Sequence, residues 1–374
     1  MKVPFYTSTR EYTKHQKALQ AAVTGVMEHG GFILGKEVER FENECSAFLG
    51  SKFALGVASG TDALVIGSDI LGFGNGAKVL TPTFTFFASA SCISRVGGTP
   101  VFVDLDENTL NMDVQDAARR CTKDTVGIVP VHLFFQSTNM DQVMQLADAK
   151  GLKVLEDSAE AFGMRTLYKG EWRSPGTIGD IGVYSFFPTK TLGGYGDGGL
   201  LVTEDPDLYK KLKRYRVHGS AVKYHHEDIG YNSRLDTMQS AILSYKLQYL
   251  EQSIREREAH ARHYLERLSR IPQLRFPHLQ DHNKPVYYVF NILAERRDAL
   301  AEYLSQAGIG YSIYYPIPLH LQKCFAHLGY KEGDFPVAER VSRQILALPM
   351  FPELTSDEVD YACDQIENFY KRHA

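Results

Sequence analysis

Seven short apolar runs alternate with longer amphipathic stretches between residues 52 and 205. Near-continuous apolar runs separated by helical segments are typical of parallel strands that helices cover on both faces of a sheet. The pattern therefore predicts a large α/β domain with a mostly parallel seven-stranded sheet between helices, whose ligand lies beyond the carboxyl ends of the strands. The predicted strands are 53–59, 77–82, 99–106, 125–134, 151–159, 180–187 and 198–205.

Helical periodicity flanks this region on both sides. Before it, apolar residues recur at helical spacing from residue 16, and a second helix is predicted over 36–49. After it, the stretch 236–270 predicts one long helix that opens at Asp236 as an N-cap and is highly charged in its second half. We interpret that half as a solvated bridge between two domains.

A smaller C-terminal α/β domain is predicted beyond residue 250. The division is a large domain over residues 1–250, which includes the N-terminal helical segment, and a small domain over 251–374. In the small domain the pattern predicts strands at 286–293 and 309–316 and helices at 296–307, 336–346 and 356–371.

Composition excludes several classes of protein. Of 374 residues, 44% are hydrophobic and 23% charged, which is typical of a globular protein, and the net charge of −4 lacks the basic excess of a nucleic-acid partner. No apolar run approaches the roughly 18 residues of a membrane span, and the start lacks the apolar core of a signal peptide. We expect a cytoplasmic protein without membrane contact. Its cysteines, odd in number and without metal-ligand spacing, are expected to be reduced and to hold no metal: Cys45, Cys92, Cys121, Cys324 and Cys363.

Two places at or just past predicted strand ends are candidates for ligand binding. Gly60 and Thr61 begin a helix after the first strand, where backbone N–H groups and the helix dipole favour an anion such as a phosphate. An ordinary helix cap has the same pattern. Asp157 ends an apolar strand, so that its carboxylate could pair with a ring nitrogen, a metal or a sugar hydroxyl, or could cap the next helix.

Lys190 lies in a glycine-rich turn between two strands that we expect to pair. A desolvated lysine has a lowered pKa and can form a Schiff base, although an exposed lysine in a hairpin is the alternative. Ser185, five residues earlier, can offer a hydroxyl to an anion.

An aromatic cluster follows another strand at Phe84, Phe86 and Phe87; it is either core or a platform that stacks on a planar cofactor. A phosphate cradle, an aromatic platform, a carboxylate and a lysine together describe a site for pyridoxal 5′-phosphate.

Over essentially its whole length the chain resembles the DegT family of sugar aminotransferases, of the pyridoxal-phosphate-dependent transferase fold type I. The resemblance implies a Schiff-base role for Lys190 and a pairing of Asp157 with the pyridine nitrogen. It also implies that Phe86 stacks on the cofactor ring. The phosphate cradle would be Gly60, Thr61 and Ser185. The motifs that carry the resemblance are FILGKEVERFE, GVASGTDAL, TPTFTFFAS, LEDSAEAFG, GDIGVYSFFPTK, GYGDGG, GYNSRLDTMQSAIL, YYPIPLHLQ and ALPMFPEL.

The same resemblance implies contacts beyond the cofactor ring. Asn232 matches an asparagine that reaches the phosphate of the neighbouring subunit's cofactor, which implies a homodimer with shared active sites. Tyr314, Tyr315 and His320 lie in a segment similar to the lining of a nucleotide-sugar cleft, and packing roles for them are the alternative.

Three positions depart from the family pattern. Glu160 stands near the cofactor's 3′-oxygen where many relatives carry Gln or His, so a carboxylate there changes the local charge. Phe135 replaces a common small residue and is expected to reshape the pocket. Thr191 replaces a frequent Asn directly after the lysine.

The resemblance predicts a pyridoxal-phosphate-dependent aminotransferase that moves an amino group, from L-glutamate, to a ketosugar linked to a nucleoside diphosphate. One alternative is dehydration of the sugar on the same scaffold, although some relatives with that activity carry His in place of the lysine. A non-catalytic regulatory member of the fold is another. A nicotinamide dehydrogenase is disfavoured because the glycine fingerprint is missing after the first strand.

Overall fold

The structure of the protein, a computed structural model, describes residues 1–372. The helices are α1 (Thr9–His29), α2 (Lys36–Leu49), α3 (Gly60–Ile70), α4 (Ala88–Arg95), α5 (Val114–Arg120), α6 (Met140–Lys150), α7 (Pro206–Tyr215), α8 (Thr237–Leu247), α9 (Leu250–Leu268), α10 (Arg297–Gln306), α11 (Pro336–Gln344) and α12 (Ser356–Arg372). The strands are β1 (Phe53–Val57), β2 (Lys78–Pro82), β3 (Thr99–Val103), β4 (Thr125–Ile128), β5 (Lys153–Asp157), β6 (Arg165–Tyr168), β7 (Glu171–Arg173), β8 (Ile181–Ser185), β9 (Gly199–Thr203), β10 (Ser220–Val222), β11 (His225–His226), β12 (Leu274–Arg275), β13 (Asn283–Lys284), β14 (Phe290–Ala294) and β15 (Ile345–Leu348).

A seven-stranded sheet in the order β1-β9-β8-β5-β4-β2-β3 forms the centre of the molecule, as predicted. Six of its strands run in one direction, and β9 is antiparallel to both of its neighbours, β1 and β8. The mostly parallel α/β fold expected from the apolar runs is therefore confirmed. Because β9 turns back beside β8, the connection between them crosses the carboxyl edge of the sheet, and this connection carries Lys190.

A three-stranded sheet in the order β12-β14-β15 lies in the C-terminal part of the chain. The predicted strand at 309–316 is wrong: Ile309 and Ser312 form only isolated bridges, with Val3 and Ala347. In this sheet β14 pairs with both β12 and β15, and the first two residues of β15 were predicted as the end of a helix. An apolar run indicates burial, and burial alone does not tell a paired strand from an extended segment.

The single helix predicted over 236–270 is two helices, α8 and α9, which meet near Tyr249. No glycine or proline marks this break in the sequence. Both sides of the break contact one carboxylate of α1: the Lys246 ammonium lies 2.7 Å from Glu11 Oε2, and the Tyr249 hydroxyl lies 3.3 Å from Glu11 Oε1. These contacts between distant parts of the chain coincide with the end of α8.

The division into domains at residue 250 stays a prediction, and the structure describes several contacts across it. One cluster of buried apolar side chains contains Phe84 and Leu133 together with Phe290 and Leu319. In addition, β13 pairs with β6. The two parts of the chain therefore share an apolar core near the carboxyl edge of the large sheet.

Glu156 is a fully buried carboxylate in β5 with an unusually complete set of hydrogen-bond donors. The ring of His132 lies 3.0 Å from Glu156 Oε2, and the backbone N–H groups of Gly176, Ile178 and Gly179 donate to its two oxygens. Burial by itself raises the pKa of the Glu156 carboxyl, but these hydrogen bonds outweigh burial, so the pKa lies below its ordinary value of 4.5. The carboxylate ties the loop before β8 to β5.

We expect Glu156→Gln to lower the free energy of unfolding at pH 7 by about 2 kcal/mol, because hydrogen bonds to a charged acceptor are lost. A carboxyl with a lowered folded-state pKa stabilises the fold above its unfolded-state pKa, and this contribution disappears as the pH falls below about 4.5. Urea unfolding between pH 7 and pH 3 should therefore show a weaker acid dependence in the variant. The exposed control Glu171→Gln should match the wild type, and an unchanged acid slope in Glu156→Gln would contradict the role of this carboxylate.

Candidate active site

A cavity of about 680 Å³ opens beyond the carboxyl ends of the large sheet. Asp157 and Ser185 are the last residues of β5 and β8, and Gly60 follows β1, so the strand order brings distant parts of the sequence to one place. Nine of the predicted site residues line this cavity: Gly60, Thr61, Phe86, Asp157, Glu160, Ser185, Lys190, Tyr314 and Tyr315.

The amino end of α3 forms one end of this lining. The Ser59 hydroxyl accepts the backbone N–H of Asp62 and so caps the helix, which confirms the simpler interpretation of this motif. Gly60 and Thr61 in the first turn nevertheless line the cavity, and the first N–H groups of a helix have no partner within it. A Cβ atom on Gly60 would lie 2.8 Å from Ser185 Cβ, so only glycine leaves this space open. The arrangement suits an anion.

Asp157 supplies a buried carboxyl group to the same cavity. Its side chain is held by the Ser89 hydroxyl, 2.6 Å from Oδ2, and by the Ala159 backbone N–H, 3.2 Å from Oδ1. Burial raises the pKa of Asp157, and the hydrogen bond from Ser89 offsets only part of this effect. A cationic group placed beside Asp157 would therefore stabilise the charged form of this carboxyl group.

Lys190 is paired with a carboxylate rather than left alone. Its Nζ lies 3.1 Å from Glu160 Oε1 and 4.2 Å from the centre of the Tyr288 ring. The second oxygen of Glu160 accepts the backbone N–H of Phe134 at 2.8 Å, which fixes the carboxylate. Burial is the largest single effect and lowers the pKa of Lys190. The charge and hydrogen bond of Glu160, together with the charge effects of Tyr288 and Asp157, outweigh burial, and the net shift is upward. The expected lowered pKa is therefore wrong for this arrangement of side chains.

Aromatic side chains form the outer part of the cavity. Phe86 is 57% exposed, and its ring lies 6.4 Å from that of Tyr315. Phe87 also lines the cavity, whereas Phe84 is buried and belongs to the core. The core interpretation of this aromatic cluster therefore holds for Phe84, whereas the platform interpretation stays a prediction for Phe86 and Phe87. Tyr314 lies beside Tyr315, with ring centres 5.7 Å apart.

The cavity does not include His320, Phe135 or Asn232. His320 is a packing residue: it is buried, its Nδ1 lies 2.7 Å from Thr83 Oγ1 and its Nε2 lies 3.1 Å from Glu339 Oε1. Phe135 does not shape the cavity, because its ring stacks on Tyr287 at 5.0 Å elsewhere. Asn232 is exposed and is not part of the cavity of its own chain.

Sequence reasoning missed four residues that the fold brings to the site. Ser89 orients Asp157, and Tyr288 covers Lys190. His132 lines the cavity while it contacts Glu156, and Thr85 Oγ1 lies 3.0 Å from the Ser89 hydroxyl. Ser89 and Thr85 stand in the same motif as Phe86, which was a usable signal. Tyr288 lay in a run that predicted only a strand.

The part of the chain that the structure describes holds no group of three or more His, Cys, Asp or Glu side chains arranged for a metal ion. No helix in residues 1–372 combines the length and apolar character needed to cross a membrane. The five cysteines are free thiols.

Comparison with known proteins gives consistent matches along the chain. The model of the DegT/DnrJ/EryC1/StrS aminotransferase family matches residues 13–367. The chain is 41% identical to the "Pleiotropic regulatory protein" of Geobacillus stearothermophilus, with 100% of both chains covered. It is 37% identical to the dTDP-3-amino-3,4,6-trideoxy-alpha-D-glucose transaminase of Streptomyces venezuelae, over 99% of this chain and 97% of that one. The crystal structure of S. venezuelae DesV in complex with a ketimine intermediate superposes with a TM-score of 0.95 at 37% identity, covering 99% of each chain.

We expect Glu160→Gln to lower the pKa of Lys190, because the amide keeps the contact with the Phe134 N–H but removes the negative charge. Only the neutral amine reacts with cyanate. In protein freed of pyridoxal phosphate, at a fixed neutral pH, the Lys190 peptide of the variant should therefore react faster than that of the wild type. The expected gain is roughly tenfold for each unit by which the pKa falls. Mass spectrometry of the digested protein measures this rate. Glu171→Gln, far from the cavity, is the control, and an equal or slower rate in Glu160→Gln would contradict the proposed effect of the charge.

Proposed function

Because the chain belongs to the DegT/DnrJ/EryC1/StrS aminotransferase family, we propose that it transfers an amino group from L-glutamate to a ketosugar linked to a nucleoside diphosphate. The chain is an aminotransferase, and the aminotransferases of this family use pyridoxal 5′-phosphate. The observation that carries the proposal is the position of Lys190 in one cavity with Asp157 and the amino end of α3.

The residues of the cavity fit this cofactor. Gly60, Thr61 and Ser185 would hold its phosphate, since Gly60 leaves the space beside Ser185 open. Asp157 would hold the proton of the ring nitrogen, and Phe86 would lie against the ring. When bound, pyridoxal phosphate supplies an aldehyde that combines with amines and a ring that withdraws electrons from the carbon next to the amine.

The side chains around Lys190 have complementary tasks in such a reaction. The Lys190 ammonium must lose a proton before its amine can attack, and Glu160 Oε1, at 3.1 Å, is placed to hold that proton or the charge. Ser89 keeps the Asp157 carboxylate in one orientation. Tyr288 covers the lysine and limits the access of water.

The aromatic part of the cavity supports a sugar nucleotide as the acceptor. Tyr314, Tyr315, Phe86 and Phe187 present flat apolar faces of the kind on which bases and sugar rings pack. The S. venezuelae relative is named as the transaminase of a thymidine-diphosphate-linked amino sugar. Both observations favour a nucleotide-linked ketosugar over a free keto acid as the acceptor.

A regulatory role is the second candidate, because the relative with 41% identity is named as a regulatory protein. Against a non-catalytic member stands the complete set of Lys190, Asp157 and Ser185 in a single cavity. Dehydration of the sugar is the other alternative, and the lysine favours transamination over it. The mass of the product separates these two reactions, since only transamination adds nitrogen.

We also propose a homodimer with shared active sites. Asn232 is exposed and lies outside the cavity of its own chain, which suits a side chain that reaches a neighbouring subunit. The exposed apolar side chain of Phe87 also borders the cavity and would be covered by a second copy of the chain.

The cytoplasm is the compartment that we propose. All five cysteines are free, and three of them, Cys45, Cys92 and Cys363, are buried. Burial raises the pKa of the Cys92 thiol to about 12, so that it remains a thiol at neutral pH. Unpaired thiols are common in reducing compartments.

The purified protein, incubated with L-glutamate and a panel of nucleotide ketosugars, should form 2-oxoglutarate and an aminated sugar nucleotide. Lys190→Ala should lower turnover by at least about 10³-fold, because the amine nucleophile and proton carrier is lost. Lys153→Ala, which changes an exposed lysine, is the matched control. Turnover in Lys190→Ala close to that of the wild type would refute the role of Lys190, and a product without added nitrogen would refute transamination.

Shared sites predict complementation between two inactive variants. In a mixed dimer of Lys190→Ala and Asn232→Ala, one site carries both changes and the other carries neither. Random mixing should therefore restore about a quarter of the wild-type activity. A mixture of Lys190→Ala with Asp157→Asn should restore none, since both residues lie in the cavity of one chain. Equal activity in the two mixtures would contradict sharing.

A further inference from the structure

A second, much smaller cavity also borders the turn that carries Lys190. Its volume of about 20 Å³ gives room for one water molecule. The N-terminal segment, the turn after β8, the junction of α8 with α9, and the segment before α12 all meet there. Among the residues that line it are Glu11, Lys190, Thr191, Lys246, Arg257 and Glu353.

Two residues of this lining each carry a buried polar atom without a hydrogen-bond partner, namely Thr191 Oγ1 and Arg257 Nε. Thr191 is 9% exposed and Arg257 is 2% exposed. Another nitrogen of the Arg257 guanidinium, Nη1, donates to three backbone carbonyl oxygens, those of Tyr287, Tyr288 and Met350, and so fixes the group in place. Buried polar atoms in native proteins are nearly always satisfied, by protein or by ordered water.

The chemistry of the lining selects the occupant. The free Arg257 Nε–H requires an acceptor, whereas the Thr191 hydroxyl can donate or accept. The charged groups around the cavity are balanced once their partners are counted. Lys246 is paired with Glu11 at 2.7 Å and Lys190 with Glu160 at 3.1 Å, and the charge of Glu353 compensates that of Arg257. Neither an anion nor a cation is favoured by this balance, and the volume admits a single small molecule. Water meets all of these conditions.

We propose that one ordered water bridges Arg257 Nε and Thr191 Oγ1 and thereby positions the turn that presents Lys190. The other supports of this turn are direct. The Tyr6 hydroxyl donates to the Pro188 carbonyl oxygen, and the Thr189 hydroxyl lies 3.0 Å from that of Tyr288. Thr191 is a positioning residue that acts through the lysine beside it. The kinetic part of this inference rests on the proposed function, but the water site itself does not.

The first test is a high-resolution crystal structure of the holoenzyme. It should show an ordered water within hydrogen-bond distance of both Thr191 Oγ1 and Arg257 Nε. An absence of density there would overturn the proposal whether or not the protein proves to be an aminotransferase. If no amine acceptor is found, the proposed function is refuted. The water site is then still tested by the electron density alone.

The second test compares Thr191→Val with Thr191→Ser. The valine keeps the size of the side chain but removes the hydroxyl, so kcat should fall about tenfold or more while KM for glutamate stays the same, because a displaced turn misplaces the amine. The serine keeps the hydroxyl and should restore most of kcat. Thr81→Val, which removes another buried unpaired hydroxyl, from β2, is the matched control and should leave kcat unchanged.

Three kinetic outcomes would overturn the positioning role. These are an unchanged kcat in Thr191→Val, an equal loss in Thr191→Val and Thr191→Ser, and an equal loss in Thr81→Val. If Thr191→Val does not fold, the decision rests on Thr191→Ser and on the electron density of the wild type. A serine variant with near-normal kcat and a retained water supports the proposal. A serine variant that loses the water but keeps kcat refutes it.

Discussion

A lysine that is mostly removed from water needs a partner for its charge, and the whole site is arranged around that need. Glu160 meets it at 3.1 Å, and the Phe134 N–H in turn holds Glu160. Desolvation alone lowers the pKa of the amine, and Glu160 opposes this effect through its charge and its hydrogen bond, so the net shift before any ligand arrives is upward. In the proposed function, the pair would also hold a proton beside the nitrogen that has to release it.

The sheet topology makes this pairing available. Parallel strands end at the same edge, so that Asp157 and Ser185, which are 28 positions apart in the sequence, reach one cavity with Gly60. The reversal of β9 returns the chain across that edge, and the connecting turn presents Lys190 over the strand ends. Rigid strands and a first helical turn thus hold the polar groups, and loops add the aromatic walls.

Support for the site extends well behind the residues that face the cavity. Ser89 fixes Asp157, His132 is held by the buried Glu156, and the turn of Lys190 is held from several parts of the chain, including Tyr6 near the N-terminus. Such supporting contacts hold a few polar atoms of the site in precise positions. They also explain why the segment before α1, from which Tyr6 comes and which contributes no residue to the larger cavity, supports the site.

The sequence by itself determined the mostly parallel sheet, because near-continuous apolar runs are what strands buried on both faces require. It also determined which residue types stand at the strand ends, and Gly60, Asp157, Ser185 and Lys190 do share one cavity. Only the tertiary structure decided which partners these residues have. The raised pKa of Lys190 comes from Glu160, thirty residues away, and the packing role of His320 comes from Thr83 and Glu339. Likewise, the pairing of β15 with β14 and the break before α9 depend on long-range contacts. Local periodicity reports whether a residue is buried, whereas charge pairing and strand pairing depend on which distant segments the fold brings within a few ångströms.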